Sequence, residues 1–274
     1  MIEKVKKGVK RALTTIPTPG WTRRYPHLSR LEKWKADVLS EILLKETGGM
    51  VFGGPFSTMK LDADLALGRD PRFIVGSYEQ EVHDVVNDVI ASAPANVIDI
   101  GSAYGYYAVG FATKIANTRI TAFEAVEEQH WKQLGELARI NGVSDKIVQR
   151  GRCTPEALVE VCREGSFILS DCEGAEAELC DPGKVPALTT CTILIELHEF
   201  NANRLLATLV ERFRSSHTIR IIEESARNPS RYRILKQLPP RWRAVAIEEA
   251  KWVGDEPPRT TTWLRFLLLT PKRP

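Results

Sequence analysis

From residue 95 onward, short apolar runs alternate with segments that carry apolar residues at helical spacing. This alternation limits the fold more than any other feature of the chain. NVIDIG, RITAFEA, KIVQRG, FILSD, CTILIEL, TIRIIEE and WLRFLLLTP read as strands. YYAVGFATKIAN, EEQHWKQLGELARIN, TPEALVEVCR and RLLATLVERFRS read as helices between them, with a further short helix from Ala175. Strand, helix and strand at this spacing build βαβ units around a buried, mostly parallel sheet. The last two strands are separated by a Pro- and Arg-rich insertion, residues 225–262.

The upstream part has a different texture. LSRLEKWKADVLSEILLKET places Leu28, Leu31, Trp34, Val38, Ile42 and Leu43 on one helical face, and Gly48 and Gly49 end the run. A glycine-rich stretch follows. SYEQEVHDVVNDVIASA then reads as a helix capped by Ser77, with Val82, Val85, Val86, Val89 and Ile90 facing a core. The expected organisation is an N-terminal helical and loop extension over 1–76, followed by an α/β domain over 77–274 that carries the insertion.

Charge is unevenly spread. Residues 1–60 hold twelve Lys and Arg against five Asp and Glu, so they carry +7, which leaves −4 for the rest of a chain with a net charge of +3. A second basic stretch contains Arg227, Arg231, Arg233, Lys236, Arg241 and Arg243 without an acid. Such patches attract phosphates, nucleic acid or anionic lipid. Aromatic residues do not interleave with these charges as a base-stacking surface requires, so a small anionic acceptor is expected rather than nucleic acid. No apolar run approaches the ~18 residues of a membrane span. The basic start, MIEKVKKGVKRAL, lacks the long apolar core of a secretory signal. The five cysteines, at 153, 162, 172, 180 and 191, form no CxxC pair or zinc-type cluster. Reduced thiols in a cytoplasmic protein are the reading taken.

Two signals point to a ligand. In VIDIGSAYGYYAVG, Gly101 and Gly105 bracket a tight turn between strand and helix, where backbone comes close to a bound molecule. This is not the G-x-G-x-x-G dinucleotide fingerprint, since Ala103 stands between the glycines and Asp99 lies in the strand end. One βαβ step later, ITAFEA ends on Glu124, whose carboxylate is suited to accept hydrogen bonds from both hydroxyls of a ribose. In this order the two signals suggest a nucleoside without a pyrophosphate.

VIDIGSAYGYYAVG, FEA, DCEGAE and ILIELHEF together resemble the ordered motifs of class I S-adenosylmethionine-dependent methyltransferases, and most of all the FkbM-type branch. GSYEQEVHDVV extends the resemblance upstream, so that it spans roughly residues 75–200. It implies a Rossmann-like sheet of seven strands whose last strand is antiparallel and lies among the others. It also implies bound S-adenosylmethionine. Asp99 and the turn Gly101, Ser102, Ala103, Tyr104, Gly105 and Tyr106 would lie against the methionine part. Glu124 and Ala125 would meet the ribose, Gly151, Arg152 and Cys153 the adenine, and Tyr78 and Glu79 the methionyl end. Asp171 would sit beside the transferable methyl group. The sequence departs from the branch at Ala125, where Pro is usual, and at Leu169, where a Lys often stands.

SDCEGAEAELC holds four carboxylates, Asp171, Glu173, Glu176 and Glu178, in eleven residues. Glu176 and Glu178 fall in the first turn of a short helix, where carboxylates suit the macrodipole. Glu196 and His198 alternate at the end of the next strand, so both face one side and join Asp171 and Glu173 in one pocket. A hard divalent cation such as Mg²⁺ held by Asp171, Glu173 and Glu196 would relieve the repulsion. The reading adopted is metal-free: Asp171 or Glu173 orients an acceptor hydroxyl and His198 takes its proton. His27, His83, His130 and His217 receive no role. Cys172, flanked by acids, is not read as a nucleophile. The function expected is O-methylation of a small-molecule or sugar-containing acceptor. The alternatives are a nucleic-acid methyltransferase, or a cofactor-binding protein without catalysis.

Overall fold

The computed structural model describes residues 30–125, 128–198, 204–223, 228–247 and 265–272. The basic start of the chain and residues 225–227 and 248–262 of the insertion lie outside these residues. The chain divides into two compact units, one of residues 1–80 with 225–259 and the other of 81–224 with 260–274.

In the first unit, α1 (Arg30–Glu46) ends before a two-glycine turn, and a bridge pairs Met50 with Lys60 across the glycine-rich stretch. Helix α2 (Pro71–Val75) starts on Asp70, whose carboxylate accepts from the Arg72 amide, and Pro71 supplies a preset φ. Gly76, at φ 76, ends it, and the amides of Gly76 and Ser77 both donate to the Arg72 carbonyl. Ser77 therefore closes one helix and does not open the next. The helix expected to start there begins six residues later, as α3 (His83–Ser92) of the second unit.

The second unit is built on seven strands: β1 (Asn96–Ile100), β2 (Arg119–Phe123), β3 (Ile147–Arg150), β4 (Phe167–Ser170), β5 (Thr192–Glu196), β6 (His217–Glu223) and β7 (Arg265–Pro271). Their order is β3-β2-β1-β4-β5-β7-β6. The first five pair in parallel, whereas β7 runs antiparallel to both β5 and β6 and lies between them. Helices α4 (Tyr106–Lys114), α5 (Glu128–Asn141), α6 (Pro155–Val161), α7 (Glu176–Leu179) and α8 (Arg204–Phe213) provide the connections.

Alternation along the strands sorts the side chains between two faces. Ile98, Ile100, Ile168, Ile193, Ile195, Leu267 and Leu269 share a core with Leu158, Leu209 and Phe213. Each such side chain contributes roughly 1.5–3 kcal/mol of burial. Phe111 of α4 packs edge-on against Phe167, at 5.4 Å between centroids. The strand order reverses between β1 and β4, and parallel sheets of this kind bind ligands at the carboxyl ends of the strands beside such a switch point.

Candidate functional site

Four strand ends meet at that switch point. After β1 the backbone turns at Gly101, whose φ is +87. A Cβ there would fall 1.6 Å from the Asp171 carbonyl oxygen, so only glycine lets the β1 loop approach the end of β4 this closely. Gly105, at φ 88, precedes α4, and a Cβ on it would meet Leu134 of α5 at 2.7 Å. Between them Ala103 is held at φ 43, in the left-handed region that non-glycine residues seldom occupy.

Glu124 determines what that strained turn does. It lies at the end of β2, 8 % exposed, and its Oε2 accepts from the Ala103 amide at 2.8 Å. The acid and the glycine turn, 21 residues apart, therefore form one structure. A carboxylate has about four lone-pair sites, so one amide leaves capacity for hydroxyl donors. Ser102 is 6 % exposed and its Oγ finds no hydrogen-bond partner among the described residues, so it is a polar atom of the turn that a ligand can engage. Asp99 is buried at the end of β1 and Tyr106 at the start of α4. These groups fit a polar, uncharged or cationic ligand with vicinal hydroxyls, as the nucleoside and amino-acid parts of S-adenosylmethionine are.

Two residues that the sequence left without a role border Glu124. His130 Nδ1 is 3.6 Å from Glu124 Oε2, and its ring meets Tyr104 edge-on at 4.5 Å. Trp131 donates from Nε1 to the Glu124 carbonyl at 3.3 Å, and its ring passes about 3.9 Å from where a Cβ on Gly151 would be. A positional signal was available for both. The helix after a parallel strand starts at the strand's carboxyl end, so the first turn of α5 had to lie beside Glu124. Ala125, Gly151 and Arg152 are exposed at this edge and Cys153 is buried. Tyr78 and Glu79 belong to the first unit, where the Tyr78 ring lies 4.5 Å from that of Phe73 and Glu79 has φ 48.

The second half of the site surrounds His198. Its Nε2 lies 3.5 Å from Asp171 Oδ1, 3.5 Å from Glu173 Oε2 and 3.9 Å from Glu196 Oε1. The four residues expected to share a pocket are thus together. Glu176 departs from expectation. It stands in the first turn of α7 as expected, but it is fully buried rather than solvated, and its Oε1 accepts from His198 Nδ1 at 2.6 Å and from the Gly174 amide at 3.1 Å. Since a carboxylate can only accept, Nδ1 carries the proton and Nε2 faces the other acids. Glu173 is reached through a backbone at φ 53 and its side chain is 78 % exposed, whereas Glu196 is 3 % exposed.

Burial alone would lower the His198 pKa. The Glu176 hydrogen bond and then the charges of Glu196, Asp171 and Glu173 outweigh it and raise the value to about 9. The value is that of the metal-free imidazole, which in its protonated form has no lone pair with which to accept a substrate proton. This counts against the general-base role expected for His198. Cys172 agrees with its reading as unreactive: burial first, then the Glu176 and Asp171 charges, push its thiol to about 12 despite opposing hydrogen bonds.

No family model matches the chain, and no curated protein matches it. Solved structures do. The methyltransferase domain of METTL16 is similar at 14% identity with a TM-score of 0.50, over 98% of this chain and 92% of that one. An O-methyltransferase from Bacillus cereus in complex with SAH is similar at 11% identity and a TM-score of 0.45, over 99% of this chain and 100% of that one. The precorrin-6Y C5,15-methyltransferase of Geobacter metallireducens follows at 12% identity and 0.43, over 69% and 89%. Identities this low speak to architecture alone, and together with the strand order they show that the chain has the Rossmann-like fold of class I methyltransferases.

Proposed function

We propose that the chain is an S-adenosylmethionine-dependent methyltransferase acting on an oxygen of a small or sugar-containing acceptor. The observation that carries this reading is the bond from the Ala103 amide to Glu124, which joins the glycine turn of β1 to the acid of β2 beside Asp171. That arrangement suits a nucleoside whose other end reaches the carboxyl end of β4. The ordered motifs, which resemble the FkbM-type branch, support an oxygen acceptor.

In this reading Glu124 takes the ribose hydroxyls. Asp99 and the turn Gly101 to Tyr106 hold the methionine part, and Trp131 with Gly151 borders the adenine. When bound, S-adenosylmethionine supplies an electrophilic methyl on a sulfonium. Asp171 at the end of β4 favours that positive charge and, with the exposed Glu173, orients the acceptor hydroxyl for in-line attack. A carboxylate of this group takes the hydroxyl proton. His198 acts as a positioning residue, tied to Glu176 and set among the acids.

The test is transfer of label from methyl-labelled S-adenosylmethionine to a panel of hydroxylated small molecules and, in parallel, to RNA. Labelled ether products that Asp171→Asn fails to form support the reading. Label confined to RNA replaces it with the nucleic-acid alternative. No transfer to any acceptor by a chain that binds the cofactor favours the non-catalytic alternative.

A further inference from the structure

We propose that Asp171, Glu196 and His198 form a binding site for one divalent first-row transition cation, of which Mn²⁺ is the type, with Glu176 as the residue that orients the histidine ligand. The inference deepens the methyltransferase reading and rests on it for the cation's role, though not for its binding.

Distance is the first argument. Asp171 Oδ1 and Glu196 Oε1 stand 3.5 Å and 3.9 Å from His198 Nε2, beyond the ~3.2 Å limit of a good hydrogen bond. Two ligands bonded to one ion at about 2.1 Å are about 3.0–3.4 Å apart at octahedral to tetrahedral angles, so the Asp171 and Glu196 oxygens need close in by only a few tenths of an ångström. One ligand atom from each of the three residues lies within 4.8 Å of the others. The spacing is wider than a direct hydrogen bond and close to that of ligands gathered around a common ion.

The second argument is the group behind the histidine. Metal-ligating imidazoles donate their other N–H to a carboxylate, which fixes the tautomer and turns the ligating nitrogen towards the ion. Glu176 does this at 2.6 Å from Nδ1. It is fully buried and aimed at the cluster, and its Oε2 has no hydrogen-bond partner among the described residues. Burying a carboxylate with one oxygen unmatched is costly, and the pairing with the His198 imidazole is what offsets that cost.

Ligand chemistry selects the ion. One imidazole and two carboxylates suit Mn²⁺ and its neighbours better than Mg²⁺ or Ca²⁺, which take oxygen alone. The Mg²⁺ set considered from the sequence, Asp171, Glu173 and Glu196, omitted the histidine. The metal-free reading adopted from the sequence gave His198 the role of base. Glu173, with its side chain 78 % exposed, stays outside the ligand set and can receive a proton. Three protein ligands leave positions open for an acceptor oxygen. A cation held there would lower that oxygen's proton affinity, so that the O–H proton would pass to Glu173 while an O–CH₃ bond formed, the S–CH₃ bond broke and neutral S-adenosylhomocysteine left.

The experiment uses the full chain, stripped with EDTA and dialysed. Mn²⁺ is titrated by electron paramagnetic resonance, with S-adenosylhomocysteine binding measured separately by calorimetry. One Mn²⁺ per chain is expected, with pulsed-resonance coupling to a single imidazole nitrogen that His198→Asn abolishes. Glu196→Gln and Glu176→Gln are each expected to weaken Mn²⁺ by about 10–100-fold, and Glu173→Gln to leave affinity and stoichiometry unchanged. Absence of Mn²⁺ binding tighter than about 1 mM, or binding without nitrogen coupling, overturns the site. If the wild type still binds S-adenosylhomocysteine in that case, the methyltransferase reading stands. Mn²⁺ binding without the nucleoside overturns that reading and leaves the cation site.

Discussion

Replacing Gly101 by alanine tests how closely the β1 turn is bound to the acidic end of β4. Two separate penalties apply. A φ of +87 disfavours any residue with a Cβ, at about 1–2 kcal/mol. The new methyl group would also lie 1.6 Å from the Asp171 carbonyl oxygen, which is backbone and cannot rotate away. Relieving the overlap displaces Asp171, whose amide donates to Ile100 O at 2.9 Å, and overpacking of this kind costs about 1–3 kcal/mol. The sum is roughly 2–5 kcal/mol. Gly142 is the control, because its φ is +69 and nothing lies within 4 Å of its ideal Cβ, so only the first penalty applies. With an m-value of about 2 kcal/mol/M, urea denaturation should show a midpoint about 1–2.5 M lower for Gly101→Ala and about 0.5–1 M lower for Gly142→Ala. Equal losses would show that the β1 turn does not press on Asp171, and the link between the cofactor loop and the acids would fail.

Further outcomes follow from the same geometry. Glu124→Ala removes the acceptor of the Ala103 amide together with the ribose site, and should weaken S-adenosylhomocysteine at least about 10-fold by calorimetry. Asp171→Asn should lower kcat for methyl transfer by about 10²-fold or more while leaving measurable nucleoside binding. His217 is 2 % exposed; Ser216 and the Cys191 carbonyl lie 2.8 and 2.9 Å from its two ring nitrogens. Burial, with help from Lys272, keeps its pKa below the ordinary histidine value against the Cys191 hydrogen bond. The unfolded chain then gains that proton first on acidification, so stability falls as pH drops below about 6.5 by up to about 1.4 kcal/mol per pH unit. Urea titrations at pH 5.5 and 7.5 should show a steeper loss for the wild type than for His217→Asn.

The sheet was legible because its strands are short apolar runs that cannot sit elsewhere. The run FLLL marked β7 as a strand, whereas its reversed direction was expected from the resemblance to class I methyltransferases and not from its own residues. Helix edges were less legible. Ser77 has the composition of a cap, but its amide closes α2 on the Arg72 carbonyl, a bond set by the φ of Gly76. The same limit hid Glu176. A four-residue helix has no periodicity to show which face is inward, so a buried histidine partner looked like a solvated first-turn acid. Asp171, Glu173, Glu196 and His198 could be grouped from strand ends and alternation alone. The charge state of His198 could not, because it depends on Glu176, 22 residues away in sequence.

Calorimetric titration of the full chain with S-adenosylhomocysteine tests the central claim most directly. The account predicts one site per chain, weakened by Glu124→Ala and by Gly101→Ala. Absence of binding by the folded wild-type chain, with and without Mn²⁺, would contradict it.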